Sequence, residues 1–452
     1  MKSRKFLIRQ SIDIAWTALP VLLAILAGLW LILLALKPIP PTRIRLATGQ
    51  LNATYDLVGQ RYKQAMAAHG IEVTLVRSAG SLDNINLLRQ DKADVAIVQN
   101  AGLDREIQDR HEIDSLGLMF RQPFWVFYRA DSPALVNRLK NETPTRLDQV
   151  LTDHTNIGLP NSGGRALALR LFDKLGIHQL EALPGLGVDA SVKALMAGQI
   201  DTTMFVASED APALQDLFSE MRRKGSTIRL LSLANAEGFT LNIPHLSTTI
   251  LPQGILNFND NIPEQDVTLL ATTASILVRE DLHPALQNLL ITTAMRIHQP
   301  WNWFQKEGEF PQFQPSLFHL SEEAERYARQ GNMPRWRQLP FWLANLFDRH
   351  WLALVALMAF LLPASRLVPP IYAWRIRRRI FRWYADLYLI EEVIRKNRKT
   401  PSSILRALDE LQARVEKVRI PLSRADELYR LRSHIELVRQ RLSETAAQPT
   451  SH

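Results

Sequence analysis

The sequence predicts an α/β protein whose main domain folds as two lobes. Three observations predict it. Short β-branched runs alternate with amphipathic helical runs from Arg43 onward, and the theme recurs after residue 150. The stretches LLRQDKADVAIV (87–98) and ALMAGQIDTTMF (194–205) also repeat one pattern of helix end, turn, aspartate and strand.

In the first lobe Ile44–Thr48 reads as a strand, Tyr55–His69 as a helix closed by Gly70, and Glu72–Arg77 as a second strand. Leu82–Gln90 reads as a helix and Val95–Val98 as a buried strand. Such a βαβαβ run makes a parallel sheet with helical crossovers. In the second lobe Thr155–Gly158 is a predicted strand, Arg165–Leu175 and Asp189–Ala197 are predicted helices, and Thr202–Val206 is a strand. The chain is expected to cross near Phe124–Arg129 and return near Leu231–Gly238, so that 43–125 with 235–340 form one lobe and 126–234 the other.

Composition narrows the chemistry. The 452 residues are 46% hydrophobic and include no cysteine, which excludes a disulfide scaffold, a thiolate metal site and a cysteine nucleophile. The net charge of +9 is local. Residues 1–12 carry Lys2, Arg4, Lys5 and Arg9 and no acid. Residues 370–400 carry nine basic side chains against three acidic ones, and the remainder is close to neutral. A charge confined in this way does not make a nucleic-acid-binding surface, and no nucleic-acid partner is expected.

Two apolar segments predict membrane helices. Residues 14–36 (IAWTALPVLLAILAGLWLILLAL) are long enough to span a hydrocarbon core, follow a basic stretch at 1–13 and lack a small-residue cleavage site. Residues 345–372 contain WLALVALMAFLLP and are followed by RIRRRIFR. Basic flanks stay on the cytoplasmic side. The expected topology is therefore a bacterial inner-membrane protein with a periplasmic main domain and both termini cytoplasmic, the lipid bilayer being one partner. Residues 373–452 predict a charged helix at Arg382–Asn397 followed by a cytoplasmic α-helical hairpin, Ser402–Val418 and Leu422–Leu442. Its apolar stripe of Leu428, Leu431, Ile435, Val438 and Leu442 calls for a helical partner or self-association.

In two-lobed α/β proteins ligands bind outside the carboxyl ends of strands. Four polar loops lie at such ends. Thr48, Gly49 and Tyr55 belong to the first, Gly80, Ser81 and Asn84 to the second, and Gln99 and Asn100 to the third; Ser162, Gly163, Gly164 and Arg165 open a helix in the second lobe. Free N–H groups at a helix start hold anions, and small residues let a ligand reach the backbone. Arg165, in a first helical turn, opposes the helix dipole and so needs compensation, which a ligand carboxylate or a salt bridge would supply.

These motifs resemble the solute-binding component of TAXI-type TRAP transporters. TGQLNATYDLVG, SAGSLDNINLLRQDKADVAIVQ, GLPNSGGRALALRLFDKLG and DTTMFVASEDAPAL carry the resemblance, which extends over about residues 43–345. It implies a two-lobed, periplasmic-binding-protein-like (type II) fold that captures a small carboxylate-bearing solute, an amino acid or a dicarboxylate, for a TRAP-type permease. The chain departs from the family pattern in the first loop, TGQLNATY, which is usually richer in glycine, at Asn100, where an acidic residue is usual, and at Gly164-Arg165, where the motif lacks its threonine.

No catalytic motif is present: there is no H-E-x-x-H, G-x-S-x-G, P-loop or G-x-G-x-x-G after a strand. Neither catalysis nor a metal nor a cofactor is expected. His154, His245, His283 and His298 read as surface residues. The alternative function is a ligand sensor or scaffold that reports through its spans to the helical tail.

Overall fold

The computed structural model describes residues 40–103, residues 112–331 apart from 141, 179 and 181, scattered residues from 351 to 366, and residues 368–396, 401–417 and 425–447. The chain divides into two compact units, one from Pro38 to Arg349 and one holding the helices after His350.

The first unit is built on one mixed sheet. Its strands are β1 (Arg43–Ala47), β2 (Glu72–Val76), β3 (Val95–Gln99), β4 (Ile113–Arg129), β5 (Thr155–Asn156), β6 (Thr202–Val206), β7 (Ile228–Leu230), β8 (Leu246–Leu251) and β9 (Val267–Arg279). Their order is β2-β1-β3-β9-β4-β6-β5, with β7 on β4 and β8 on β9. The β1–β2, β1–β3 and β5–β6 pairs are parallel.

Two strands make the two lobes one sheet. β4 has 17 residues and β9 has 13. At about 3.3 Å per residue β4 runs roughly 55 Å, more than one lobe needs. The carboxyl half of β9 pairs with β3, while the carboxyl half of β4 pairs with β6 and β7. The two strands pair with each other antiparallel along the crossing, where Gln122 stands opposite Thr272. The long strand that returns to the first lobe is thus β9, later in the chain than the segment near Leu231–Gly238 in which the sequence reading looked for it.

Helices cover both faces of this mixed sheet, as its parallel β1–β2, β1–β3 and β5–β6 pairs require. In the first lobe α1 (Thr54–Ala67) and α2 (Ser81–Arg89) are the crossovers between β1, β2 and β3. α3 (Pro133–Leu139), α4 (Gly163–Lys174), α5 (Val188–Met196) and α6 (Pro212–Met221) belong to the second lobe, and α7 (Ala236–Thr240) packs near β8. α8 (Pro284–His298) and α9 (Glu322–Gln330) complete the first lobe. Tyr62 and Met66 of α1 are buried with Ile44, Leu46 and Leu290 on one face of the first lobe, and Ile85 and Leu88 of α2 on the other. In the second lobe Leu171 and Phe172 of α4 pack on one face and Leu195, Leu217 and Phe218 of α5 and α6 on the other. Aromatic weight concentrates there. Trp125 is fully buried, meets Phe218 and Phe304 edge-on with centroids 5.5 and 5.8 Å away, and donates from Nε1 to the Ala207 carbonyl.

The second unit contains α10 (Val368–Arg395), α11 (Pro401–Lys417) and α12 (Ala425–Ala447). A hairpin of the last two was expected; all three helices contribute to its core. Leu387 of α10, Leu408, Leu411 and Val415 of α11, and Leu431, Ile435, Val438 and Leu442 of α12 are buried together. The apolar stripe read in the sequence is therefore covered within the chain.

The flanking transmembrane helices are overturned. Among the described residues no helix is long and apolar enough to cross a membrane. Residues 14–36, and most of 345–372, lie outside the described residues. The one described helix that begins in the second segment, α10, has 28 residues, but Arg375, Arg377, Arg378, Arg379 and Arg382 fall within it and break any apolar window of spanning length. The inner-membrane placement with both termini cytoplasmic rested on those spans and is corrected with them.

Candidate functional site

The parallel strands of both lobes end towards one place. A cavity of about 70 Å³ is lined there by loops after β1, β2 and β5 and by the ends of β3 and β6. Four helices begin at it: α1 after Ala53, α2 after Gly80, α4 after Ser162 and α5 after Gly187. The first turn of a helix has N–H groups without intrahelical partners and the positive end of its dipole. A side chain usually caps them, yet the residues before α1, α2 and α5 make no side-chain cap hydrogen bond. Only Ser162 does so, accepting from the Arg165 amide at 3.2 Å.

The side chains at the cavity are neutral and polar on the first lobe. Tyr55 donates its hydroxyl to Gln122 Oε1 at 3.1 Å. Burial pushes the Tyr55 phenol well above its ordinary pKa, with a smaller opposing effect from Ser81, so it stays a neutral donor. Ser81 is buried, and its hydroxyl accepts from the Gln99 amide at 3.0 Å. The second lobe adds Asn156, whose Nδ2 donates to Thr203 Oγ1 and whose Oδ1 accepts from the amides of Gly158 and Leu186. Leu159, Leu186, Val188 and Met204 supply apolar surface.

The lobes are shut on each other around the cavity. Gln99 Nε2 donates to Gly163 O at 3.0 Å, Val188 N to Gln50 Oε1 at 3.1 Å, and Ser208 N to Thr54 Oγ1 at 2.9 Å. Arg61 pairs with Asp210 across the same seam. The approach is close enough to select for glycine: a Cβ on Gly163 would lie 2.6 Å from Ser81 Oγ.

Of the twelve residues singled out in the sequence, Gly49, Tyr55, Gly80, Ser81, Gln99, Ser162, Gly163 and Gly164 line the cavity. Thr48, Asn84, Asn100 and Arg165 do not. Asn84 is fully buried; it donates to the carbonyls of Thr48 and Ile97 and accepts from Ser78, so it fixes the loops after β1 and β2 from behind. Asn100 donates to Thr273 and Ser275 of β9. Arg165 turns its guanidinium onto the carbonyls of Gly158 at 3.0 Å and Leu180 at 3.5 Å, so backbone carbonyls are among the groups that compensate it. Sequence reasoning missed Gln50, Thr54, Gln122, Asn156, Gly158 and Met204–Val206. Gln50 and Thr54 sit inside a loop already singled out. Gln122 carried a usable signal, a lone amide in the apolar run of β4.

Among the described residues no group of three or more His, Asp or Glu stands together in a way that could hold a metal ion. His298, read as a surface residue, is buried against Phe120, stacked at 4.9 Å.

Two lobes joined by crossing strands, with a cavity ringed by strand ends and helix starts, make a two-lobed, type II periplasmic-binding-protein-like α/β domain. The chain belongs to the NMT1-like family, whose pattern matches residues 46–302, more than half of its length. No curated protein matches the sequence. Among solved structures it is similar to the Synechocystis PCC6803 CcmR regulatory domain in complex with 2-PG, at 15% identity and a TM-score of 0.36, over 57% of this chain and 98% of that one. It is also similar to the GluR0 ligand binding core in complex with L-glutamate, at 9% identity and a TM-score of 0.35, over 57% and 93%. A third is the effector binding domain of QuiR in complex with shikimate, at 15% identity and a TM-score of 0.35, over 57% and 96%.

Proposed function

We propose that the chain is the solute-binding component of a TAXI-type TRAP transport system. It captures a small carboxylate-bearing solute by closing its two lobes and presents it to a permease subunit, with no covalent chemistry of its own. The observation that carries this reading is the convergence of four helix starts from two lobes on one cavity, two of them, α1 and α2, without a side-chain cap. Each such start favours a nearby anion by about 0.3–1 kcal/mol. The motif resemblance over 43–345 supports the transport assignment. The test is a thermal-shift screen of the full chain against small carboxylates, followed by co-purification with a candidate permease. Failure of every carboxylate to raise the melting temperature would sink the binding reading; binding without any permease association would sink the transport reading.

A second reading, a ligand sensor, is favoured by one observation. The helices α10, α11 and α12 form a compact unit with its own buried core, which a delivery protein does not need. Affinity capture with the full chain, with and without the carboxylate that stabilises it, would support sensing if a partner of the helical unit changed with ligand.

A further inference from the structure

We infer that the ligand is a short carboxylate of single charge without an ammonium group, so that the site rejects amino acids and dianions. The inference rests on the reading of the cavity as the binding site and narrows its substrate class.

The described residues that line the cavity include no Asp, Glu, Lys, Arg or His. An amino acid brings an ammonium that needs an anionic or carbonyl acceptor. The nearby acids are engaged elsewhere. Asp56, fully buried on α1, accepts from Asn52 N and Gln60 Nε2 and pairs with Arg77, and Asp83 accepts from Ala79 N. The four helix starts set a positive potential at the cavity, which attracts a carboxylate and repels an ammonium. A second, independent feature points to an acceptor-rich ligand. Gln122 is 1% exposed and lines the cavity; its Oε1 is taken by Tyr55, and no described residue accepts from its Nε2. That amide is a buried donor facing a space where only a ligand or water can satisfy it.

The far wall sets the upper charge. Leu159, Leu186, Val188 and Met204 bring no side-chain partner for a second carboxylate, and the side chains of Asn156 and Ser162 beside them are taken by Thr203, Gly158 and Leu186 and by Leu159 and Arg165, so a second carboxylate would be desolvated with little compensation. The volume of about 70 Å³ suits a solute of few heavy atoms.

The experiment uses the full chain and four matched probes: butyrate, L-2-hydroxybutyrate, L-2-aminobutyrate and succinate. Melting curves and calorimetric titration are read for each. The expected result is a rise of roughly 5 °C with butyrate or L-2-hydroxybutyrate at about a hundredfold excess over Kd, with at least tenfold weaker binding of the other two. Gln122→Glu, nearly isosteric, is expected to weaken the monocarboxylate at least tenfold by setting a carboxylate in the cage. If L-2-aminobutyrate or succinate binds as well as the monocarboxylates, the class assignment is wrong and binding by this protein stands. If none of the four moves the melting temperature, the class assignment and the reading of the cavity fall together. Unchanged binding by Gln122→Glu would put the ligand at another place and overturn the inference.

Discussion

Gln99 Nε2 donates to the carbonyl oxygen of Gly163 at 3.0 Å, so the last residue of β3 in one lobe holds the first turn of α4 in the other. The same Nε2 also donates to Ala101 O at 2.7 Å. Gln99→Leu removes both bonds and leaves two carbonyls without that donor, a loss of about 1–3 kcal/mol for a buried group. The expected outcome is a lower urea midpoint together with a larger radius of gyration in solution scattering, because one of the ties across the seam is gone. A variant as compact as the parent would show that the other ties suffice.

Gly163→Ala tests closure without touching a hydrogen-bonding side chain. The new Cβ would stand 2.6 Å from Ser81 Oγ and 3.1 Å from Gln99 Oε1. Alanine is the better helix former by up to about 1 kcal/mol, which offsets part of the clash when the lobes separate. Affinity for the stabilising carboxylate should therefore fall at least tenfold while the melting temperature of the free protein changes by a few degrees. Calorimetry on the parent and the variant decides it; equal affinities would mean that the lobes need not meet at Gly163.

His298 makes stability depend on pH. Burial, with a smaller contribution from the charge of Arg61, lowers its pKa to about 3, and its Nε2 has no hydrogen-bond partner. The unfolded chain takes up the proton near pH 6.5 and the folded chain refuses it. Stability is therefore full above about pH 6.5 and declines as pH falls towards about pH 3. Near pH 5 this group alone costs about 2 kcal/mol relative to pH 7.5. His298→Phe removes the titration and keeps a ring against Phe120. Urea melts at the two pH values should show a smaller difference for the variant; an unchanged difference would assign the acid sensitivity to other groups.

The helical unit should respond to core substitution by itself. Leu408 is fully buried among Leu411, Leu431 and Ile435. Leu408→Ala removes apolar volume and is expected to cost about 2–5 kcal/mol. Hydrogen exchange on the full chain should show faster exchange over residues 401–447, with β1, β3 and β9 unchanged. Acceleration in those strands would show that the two units unfold together.

Local periodicity made most elements of the first unit legible. β6 was expected over the residues it occupies, and α1, α2 and α5 within one or two residues of their ends. Alternation along a strand and the 3.6-residue repeat of a helix are properties of neighbouring residues, and so are the small and polar residues that open helices. The loops carrying Gly49, Ser81, Gln99 and Gly163 were visible for that reason.

Tertiary structure decided the rest. It made β9 the returning strand and brought Gln122 and Asn156 to the cavity. It turned Arg165 onto the carbonyls of Gly158 and Leu180, and Asn84 onto those of Thr48 and Ile97. It buried His298 and packed the helix before the hairpin into one core with it. A polar side chain bonds whichever group the fold brings within about 3 Å. In these cases the partner lies several to well over a hundred residues away, and strand pairing across such distances leaves no mark in the local pattern.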